Sequence, residues 1–200
     1  MTTLDTPTLR SGIERIADAL EAHAQELTEA DARLGDGDLG VTLARAAQAS
    51  REAAPALPSD VGQAFMQCAQ VFMRVSSSSY GTLVATGLMS AAKASKGRTE
   101  VPWSEISALL GAALEAMMKR GRGELGQKTV LDSLEAARLA TAGATDAQKI
   151  LIAAREAVTT ALEEFRPRTC GLGRARMYTD KSAGLDDPGM LAFKVIVDAL

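Results

Sequence analysis

Three carboxylates fall within eight residues in the run Asp31-Ala32-Arg33-Leu34-Gly35-Asp36-Gly37-Asp38, which continues as Leu39-Gly40-Val41-Thr42. The interspersed glycines admit tight turns, so the loop can fold several side chains toward one point. Carboxylates converging on one point repel each other unless a hard cation lies between them. Mg²⁺ and Ca²⁺ are the oxygen-seeking candidates. The same residues also suit a helix end, a turn and an N-cap aspartate, for which Asp-Gly is ordinary. Chemistry alone leaves both readings open. An EF-hand is excluded: with Asp36 as its first position, Asp38 fits the third, but Gly40 and Val41 miss the fifth and sixth. Ala47 then stands where the bidentate glutamate belongs.

A second segment invites chemistry. Gly121-x-Gly123-x-x-Gly126 matches the dinucleotide fingerprint by letter, but that fingerprint has meaning only after a strand in a βαβ unit. A helical stripe precedes it here. A P-loop fails too, because Gln127 intrudes before Lys128-Thr129 and no strand leads in. What survives is a glycine-rich turn before a helix N-terminus, whose amides can meet an anion. Four such glycine- or serine-rich breaks precede helices, at 35–42, 76–82, 121–129 and 184–189. In an antiparallel helical barrel the connections at one end lie together, so these breaks would form a rim for metal and phosphate. A carboxylate cluster beside them points to a Mg²⁺–polyphosphate ligand, a nucleotide above all.

The elements that must position these loops read as helices. Leu9, Ile13, Ile16, Leu20, Ala24 and Leu27 form one apolar stripe, predicting a helix to about residue 29 with its cap and first turn in Thr6-Pro7-Thr8. The lone histidine, His23, falls late in it and reads as a surface or packing residue. A second helix is expected over 39–52, a third after the Ser59-Asp60 cap, a fourth over 83–95 and a fifth opened by Pro102. Two more follow near 130–141 and 146–165. After an irregular basic stretch over 166–186, Asp187-Pro188-Gly189 caps and opens a last helix to Leu200. The count is about eight helices with no strand alternation, no repeat and no long linker. The expectation is one all-α domain over 1–200.

Composition bounds the function. Aromatics at 4% and an apolar fraction of 46% favour packed helices over sheets. A net charge of −3 argues against a nucleic-acid partner, since no basic excess exists to neutralise phosphates. No apolar run spans a bilayer, and Met1-Thr2-Thr3-Leu4-Asp5 lacks signal-peptide regions. Cys68 and Cys170 form no CxxC pattern and read as small buried residues in a reducing compartment. The expected location is cytoplasmic, with no membrane.

Read together, Asp31-x4-Asp36-Gly37-Asp38-x-Gly40-x-Thr42 resembles the metal loop of the DhaL (Dak2) family, the nucleotide-binding subunit or domain of dihydroxyacetone kinase. The 76–82 segment is similar to that family's serine/glycine phosphate loop. Arg120-Gly121 through Lys128-Thr129 with Asp132 resembles its Gly-Asp-Lys-Thr region. Gly173-Arg174-Ala175, Lys181-Ser182-Ala183-Gly184 and Asp187-Pro188-Gly189 resemble its C-terminal signature. The four motifs keep the family's order over nearly the whole chain. The resemblance implies an eight-helix barrel binding ADP or ATP through two Mg²⁺ ions at one rim. It implies that Asp31, Asp36 and Asp38 hold the metals. Leu39, Gly40, Val41 and Thr42 would meet phosphates through amides and the Thr42 hydroxyl, with Val75 and Ser76 beside them. Gly121, Val130, Arg174, Asp187, Pro188 and Gly189 would line the nucleotide.

Three departures stand out. Leu39 replaces a histidine common in the family, Met73-Arg74-Val75-Ser76-Ser77-Ser78 replaces Gly-Gly-x-Ser-Gly-Pro, and Gln127 replaces the aspartate of Gly-Asp-Lys-Thr. In the family a separate domain or subunit carries the hydroxyketone on a histidine, and nothing here matches it. The resemblance therefore implies a short-ketose kinase subunit, with no catalytic side chain assigned, working with a DhaK-like substrate subunit and in some systems a phosphotransferase-system component. The alternatives are a non-catalytic ADP-binding regulatory module of the same fold, and a helical interaction domain whose aspartates only cap helices.

Overall fold

The computed structural model describes residues 3–76 and 78–200. Met1 and Thr2, read above for a targeting signal, and Ser77 of the serine run lie outside the described residues. Nine α-helices carry the fold among them: α1 (Thr6–Ala22), α2 (Ala24–Leu34), α3 (Leu39–Ala53), α4 (Val61–Val75), α5 (Ser79–Ala94), α6 (Ile106–Gly121), α7 (Val130–Ala140), α8 (Ala147–Phe165) and α9 (Pro188–Ala199). The chain is all-α in class, as its composition implies.

Helix starts follow local capping chemistry. Asp60, Asp146 and Asp187 each accept the amide three residues on, at 2.8, 2.9 and 2.9 Å. Thr129 and Asp132 form a full capping box at the start of α7. The first helix differs from expectation: its cap is Asp5, which accepts from Thr8 N at 2.9 Å, and Thr6 is already helical. Pro102 also differs, since it ends a short strand and α6 starts only after a 3₁₀ turn.

The helix expected through residue 29 is two helices. The chain bends at His23 (φ −96°, ψ 7°) between α1 and α2. His23 N still donates to Ala19 O at 2.9 Å, and Leu27 N to His23 O at 3.0 Å. The bend therefore sacrifices little of the ladder. The apolar stripe runs straight through it, with Leu20 and Leu27 both fully buried. That continuity is why spacing alone shows one helix.

The helices close into a ring. Both α1 and α2 pack between α3 and α9, so together they make one stave. Next, α3 packs on α4, α4 on α5, α5 on α6, α6 on α7, α7 on α8 and α8 on α9. Eight staves result, joined mostly by short connections that make neighbours antiparallel. Burying a leucine such as Leu20, Leu27, Leu43 or Leu131 contributes about 1.5–3 kcal/mol. Small residues set the closest approach: α5 buries Gly81, Ala85, Gly87 and Ala92 between α4 and α6. Two strands were not foreseen. β1 (Thr3–Asp5) and β2 (Glu100–Pro102) pair antiparallel with Leu4 opposite Val101, too short for an alternation to register in the sequence. Among the described residues no helix is long and apolar enough to cross a membrane.

Candidate functional site

The carboxylate loop joins α2 to α3. Asp31 lies in the last turns of α2, so its side chain can reach over the following turn. Its Oδ2 accepts Asp38 N at 3.0 Å and Leu39 N at 3.2 Å, an acceptor for the N-terminus of α3 supplied from seven and eight residues back. A side chain at Gly35 would collide with the Asp31 carboxylate. Gly37 has φ +73°, a left-handed turn that glycine adopts without strain. Gly40 is needed for another reason: a Cβ there would strike the Ala24 carbonyl, where α3 crosses the start of α2. The result brings one oxygen each from Asp31, Asp36 and Asp38 within 4.8 Å of one another.

Three like charges this close are costly. Partial burial pushes the Asp38 carboxyl above its usual range, the Asp36 and Asp31 charges add to this, and Arg174 opposes them. Arg174, from the connection between α8 and α9, makes an ion pair with Asp36. Both partners are largely exposed, so water screens the pair. The donor set is hard, anionic and open to solvent, which fits Mg²⁺ or Ca²⁺ and suits neither zinc nor a soft metal.

A cavity of about 170 Å³ adjoins the cluster. Asp31, Asp36, Asp38, Leu39, Gly121, Val130, Arg174, Asp187, Pro188 and Gly189 all lie on its wall. The loops before α3, α5, α7 and α9 therefore meet at one end of the barrel, as expected. Gly40, Val41 and Thr42 are not on the wall. Leu39 N is taken by Asp31 and Thr42 N by Asp38 O at 2.9 Å, so among the described residues Gly40 and Val41 supply the amides of that turn without a hydrogen-bond partner. Val75 and Ser76 are off the wall as well. Ser76 is buried, with its hydroxyl 2.9 Å from Ser78 Oγ. Ser78 and Ser79 take the wall instead, because Ser78 is the N-cap of α5 and turns that helix end toward the cavity.

Spacing gives no signal for several wall residues. Tyr80 lies on the wall, and its buried hydroxyl has no hydrogen-bond partner among the described residues. Burial, with the nearby Asp187 charge adding to it, pushes its phenol up. An orphaned buried donor is uncommon, and a ligand acceptor in the cavity would satisfy it. Leu83, Leu131 and Leu172 give the wall an apolar side suited to a flat ring. Asp187 caps α9 and is buried. Burial outweighs the Met190 and Gly189 amides and Lys128, and pushes its carboxyl up to about 7.

A larger hollow of about 400 Å³ lies against α1, α8 and α9. Its charged groups are paired with one another, as Arg166–Asp186, Lys194–Asp198 and His23–Glu26. His23, read as a surface or packing residue, makes its pair in solvent.

The family model described as the DAK2 domain matches residues 33–200. The chain belongs to the DAK2 domain family. It is 31% identical over 197 residues to human triokinase/FMN cyclase, covering 94% of this chain but 33% of that protein. The chain thus spans about a third of the length of the triokinases it matches. It is 25% identical over 184 residues to the ADP-binding subunit DhaL of a PEP-dependent dihydroxyacetone kinase from Listeria innocua, covering 90% of this chain and 88% of the subunit. The crystal structure of the dihydroxyacetone kinase from C. freundii in complex with AMP-PNP and Mg²⁺ shares the fold, with a TM-score of 0.76 at 22% identity over all of this chain and 34% of that one. The eight-stave barrel is thus the DAK2 fold.

Proposed function

We propose that the cavity binds Mg²⁺–ADP or Mg²⁺–ATP, and that the chain is the nucleotide-binding subunit of a kinase for dihydroxyacetone or a related short ketose. The observation that carries this is the Asp31-Asp36-Asp38 cluster at the mouth of a cavity lined by four helix-start loops. Relatives of matching length are described as ADP-binding subunits of dihydroxyacetone kinases, and a solved kinase of this fold was crystallised with AMP-PNP and Mg²⁺.

In this reading the three aspartates hold the metal, two Mg²⁺ ions in the fullest form. When bound, Mg²⁺ neutralises phosphate charge and sets the phosphoryl group in line for transfer. The chain's own residues do the positioning. Free amides of Gly40 and Val41 face anionic oxygens at the start of α3, where the helix dipole favours negative charge. Arg174, paired with Asp36, supplies a second positive group for the phosphates. Leu83, Leu131 and Leu172 pack the base, Tyr80 offers a hydroxyl, and the buried start of α9 at Asp187, Pro188 and Gly189 closes the far wall. No side chain on this wall is placed as a general base. The acceptor hydroxyl and its proton acceptor belong to a second, DhaK-like subunit, and a phosphotransferase-system protein is the donor that the relatives named PEP- or PTS-dependent suggest.

The test is calorimetry and thermal melting with Mg²⁺–ADP, with and without chelator. Wild-type protein should gain about 3–4 kcal/mol at nucleotide concentrations some hundredfold to thousandfold above Kd. Asp36→Ala and Asp38→Ala should gain none. Unchanged melting of the wild type in saturating Mg²⁺–nucleotide would sink the proposal.

A further inference from the structure

Lys128 is the largest fully buried side chain among the described residues. A buried ammonium is expensive unless every donor is met. Here Nζ donates to three backbone carbonyl oxygens: Arg166 O at 3.0 Å, Arg168 O at 2.7 Å and Ser182 O at 2.8 Å. All three acceptors belong to the connection between α8 and α9. Lys128 itself stands at φ +59°, a left-handed conformation that a lysine seldom holds without surrounding constraint. Beside it, Gly171 N donates to Gln127 O at 2.9 Å, and Cys170 N to Ser182 Oγ at 2.9 Å.

One side chain thus pins both ends of the 166–182 stretch to a single point just before α7. The part held between those ends faces the candidate site. Leu172, Gly173, Arg174 and Ala175 lie on the cavity wall, Arg174 pairs with Asp36, and Tyr178 Oη donates to Gly35 O at 3.3 Å. Apolar anchoring of the stretch is thin: Cys170 and Ala175 pack on Leu34 with help from Tyr178 and Leu185.

We infer that Lys128 is a positioning residue for the nucleotide site: it folds the 166–182 stretch into the one path that presents Arg174 to the Asp31-Asp36-Asp38 cluster and to phosphates bound there. This rests on the proposed function above. Lys128 is itself neither a wall residue of the cavity nor a member of the aspartate cluster, and it acts through Arg174. A merely structural lysine would lower stability without a specific link to Arg174.

The experiment is a double-mutant cycle on the full chain with Lys128→Met, Arg174→Ala and both, reading Mg²⁺–ADP affinity by calorimetry. Lys128→Met should weaken binding about 10–100-fold, the usual cost of removing an outer partner that orients a ligand group. Adding it to Arg174→Ala should cost no more than about a further twofold, since coupled residues are not additive. Hydrogen exchange of ligand-free protein gives the second readout. In Lys128→Met, amides of 166–186 should exchange about tenfold or more faster while those of α4 stay as in the wild type. Should Lys128→Met fail to fold, Lys128→Gln keeps two donors and enters the same cycle. Losses that add in the double variant, or 166–186 amides that exchange at the wild-type rate, overturn the inference. A wild type that binds no Mg²⁺–ADP overturns the proposed function instead, while the ligand-free exchange still decides whether Lys128 holds the stretch.

Discussion

Two regions of this barrel treat charge in opposite ways. At the end of α2, three carboxylates share one patch of surface, and Arg174 is the counter-ion paired there among the described residues. Just before α7, one ammonium is sealed inside and met by three neutral carbonyls. The surface cluster persists because water screens its repulsion. The buried charge persists because its donors are saturated. An unbalanced exposed cluster is suited to taking a ligand. A balanced buried charge is suited to holding chain segments in register.

The comparison is broken most easily at Lys128. Lys128→Met removes three charge-assisted hydrogen bonds, each worth about 1.5–3 kcal/mol. Arg168 O is left without a donor among the described residues, while Arg166 O keeps Gly184 N at 2.8 Å and Ser182 O keeps Leu185 N at 3.3 Å. Relief from burying the ammonium offsets part of this, so the expected loss is about 3–5 kcal/mol in denaturant unfolding. A loss under about 1 kcal/mol would mean that the 166–182 stretch is held by its apolar contacts instead.

Next in size is Asp187, which stands between the two regions. Its carboxyl is buried and pushed up to about 7, against a usual value of 3.8. Between those values the folded state keeps a proton that the unfolded state has released, so stability falls as pH rises through this window. The fall should be on the order of 3–4 kcal/mol between about pH 4 and about pH 7, and Asp187→Asn, neutral throughout, should flatten that part of the profile. Unfolding curves at several pH values check it. A wild-type profile that rises across the window, as for an ordinary ionised cap, would show that the helix dipole and Lys128 outweigh burial.

The difference between the regions also explains what could be read from the chain. The aspartate loop was legible because its residues are close in sequence and their spacing carries the chemistry. Caps at Asp60 and Asp187 were legible for the same reason, and so was the gathering of four loops at one end. Lys128 was not. Its partners are backbone carbonyls 38, 40 and 54 residues away, which have no residue-type signature. The place of Ser78, Ser79 and Tyr80 on the wall was hidden too, because it depends on which serine becomes the cap of α5. The break at His23 left the apolar stripe intact, and the β1–β2 pair joins two three-residue runs that are far apart in the chain.

Asp31 sharpens the comparison from within the cluster. It is the one carboxylate of the three with a structural duty, accepting the amides of Asp38 and Leu39. Asp31→Ala should cost about 1–2 kcal/mol without any ligand, in the range of a lost N-cap. Thermal unfolding of the metal-free protein measures it.

Asp36 and Asp38 should show the smallest effect on the ligand-free chain. Neither serves as a side-chain cap: Asp38 stands at the N-cap before α3, and its carboxylate accepts no capping amide. Asp36 has Arg174 across an exposed pair, worth about 0–1 kcal/mol at most. Converting Asp38 to Asn removes a charge that its two neighbours oppose. Metal-free stability should therefore stay within about 0.5 kcal/mol of the wild type or rise slightly, as relieving like-charge contact allows. The same variants should lose their response to Mg²⁺–ADP. A residue whose removal leaves the fold intact and abolishes the ligand response belongs to the site, whereas Lys128→Met should damage both. If Asp38→Asn instead destabilised the metal-free protein by more than about 1 kcal/mol, the carboxylates would be holding the α2–α3 turn together, and the division between site and scaffold would fail at its first point.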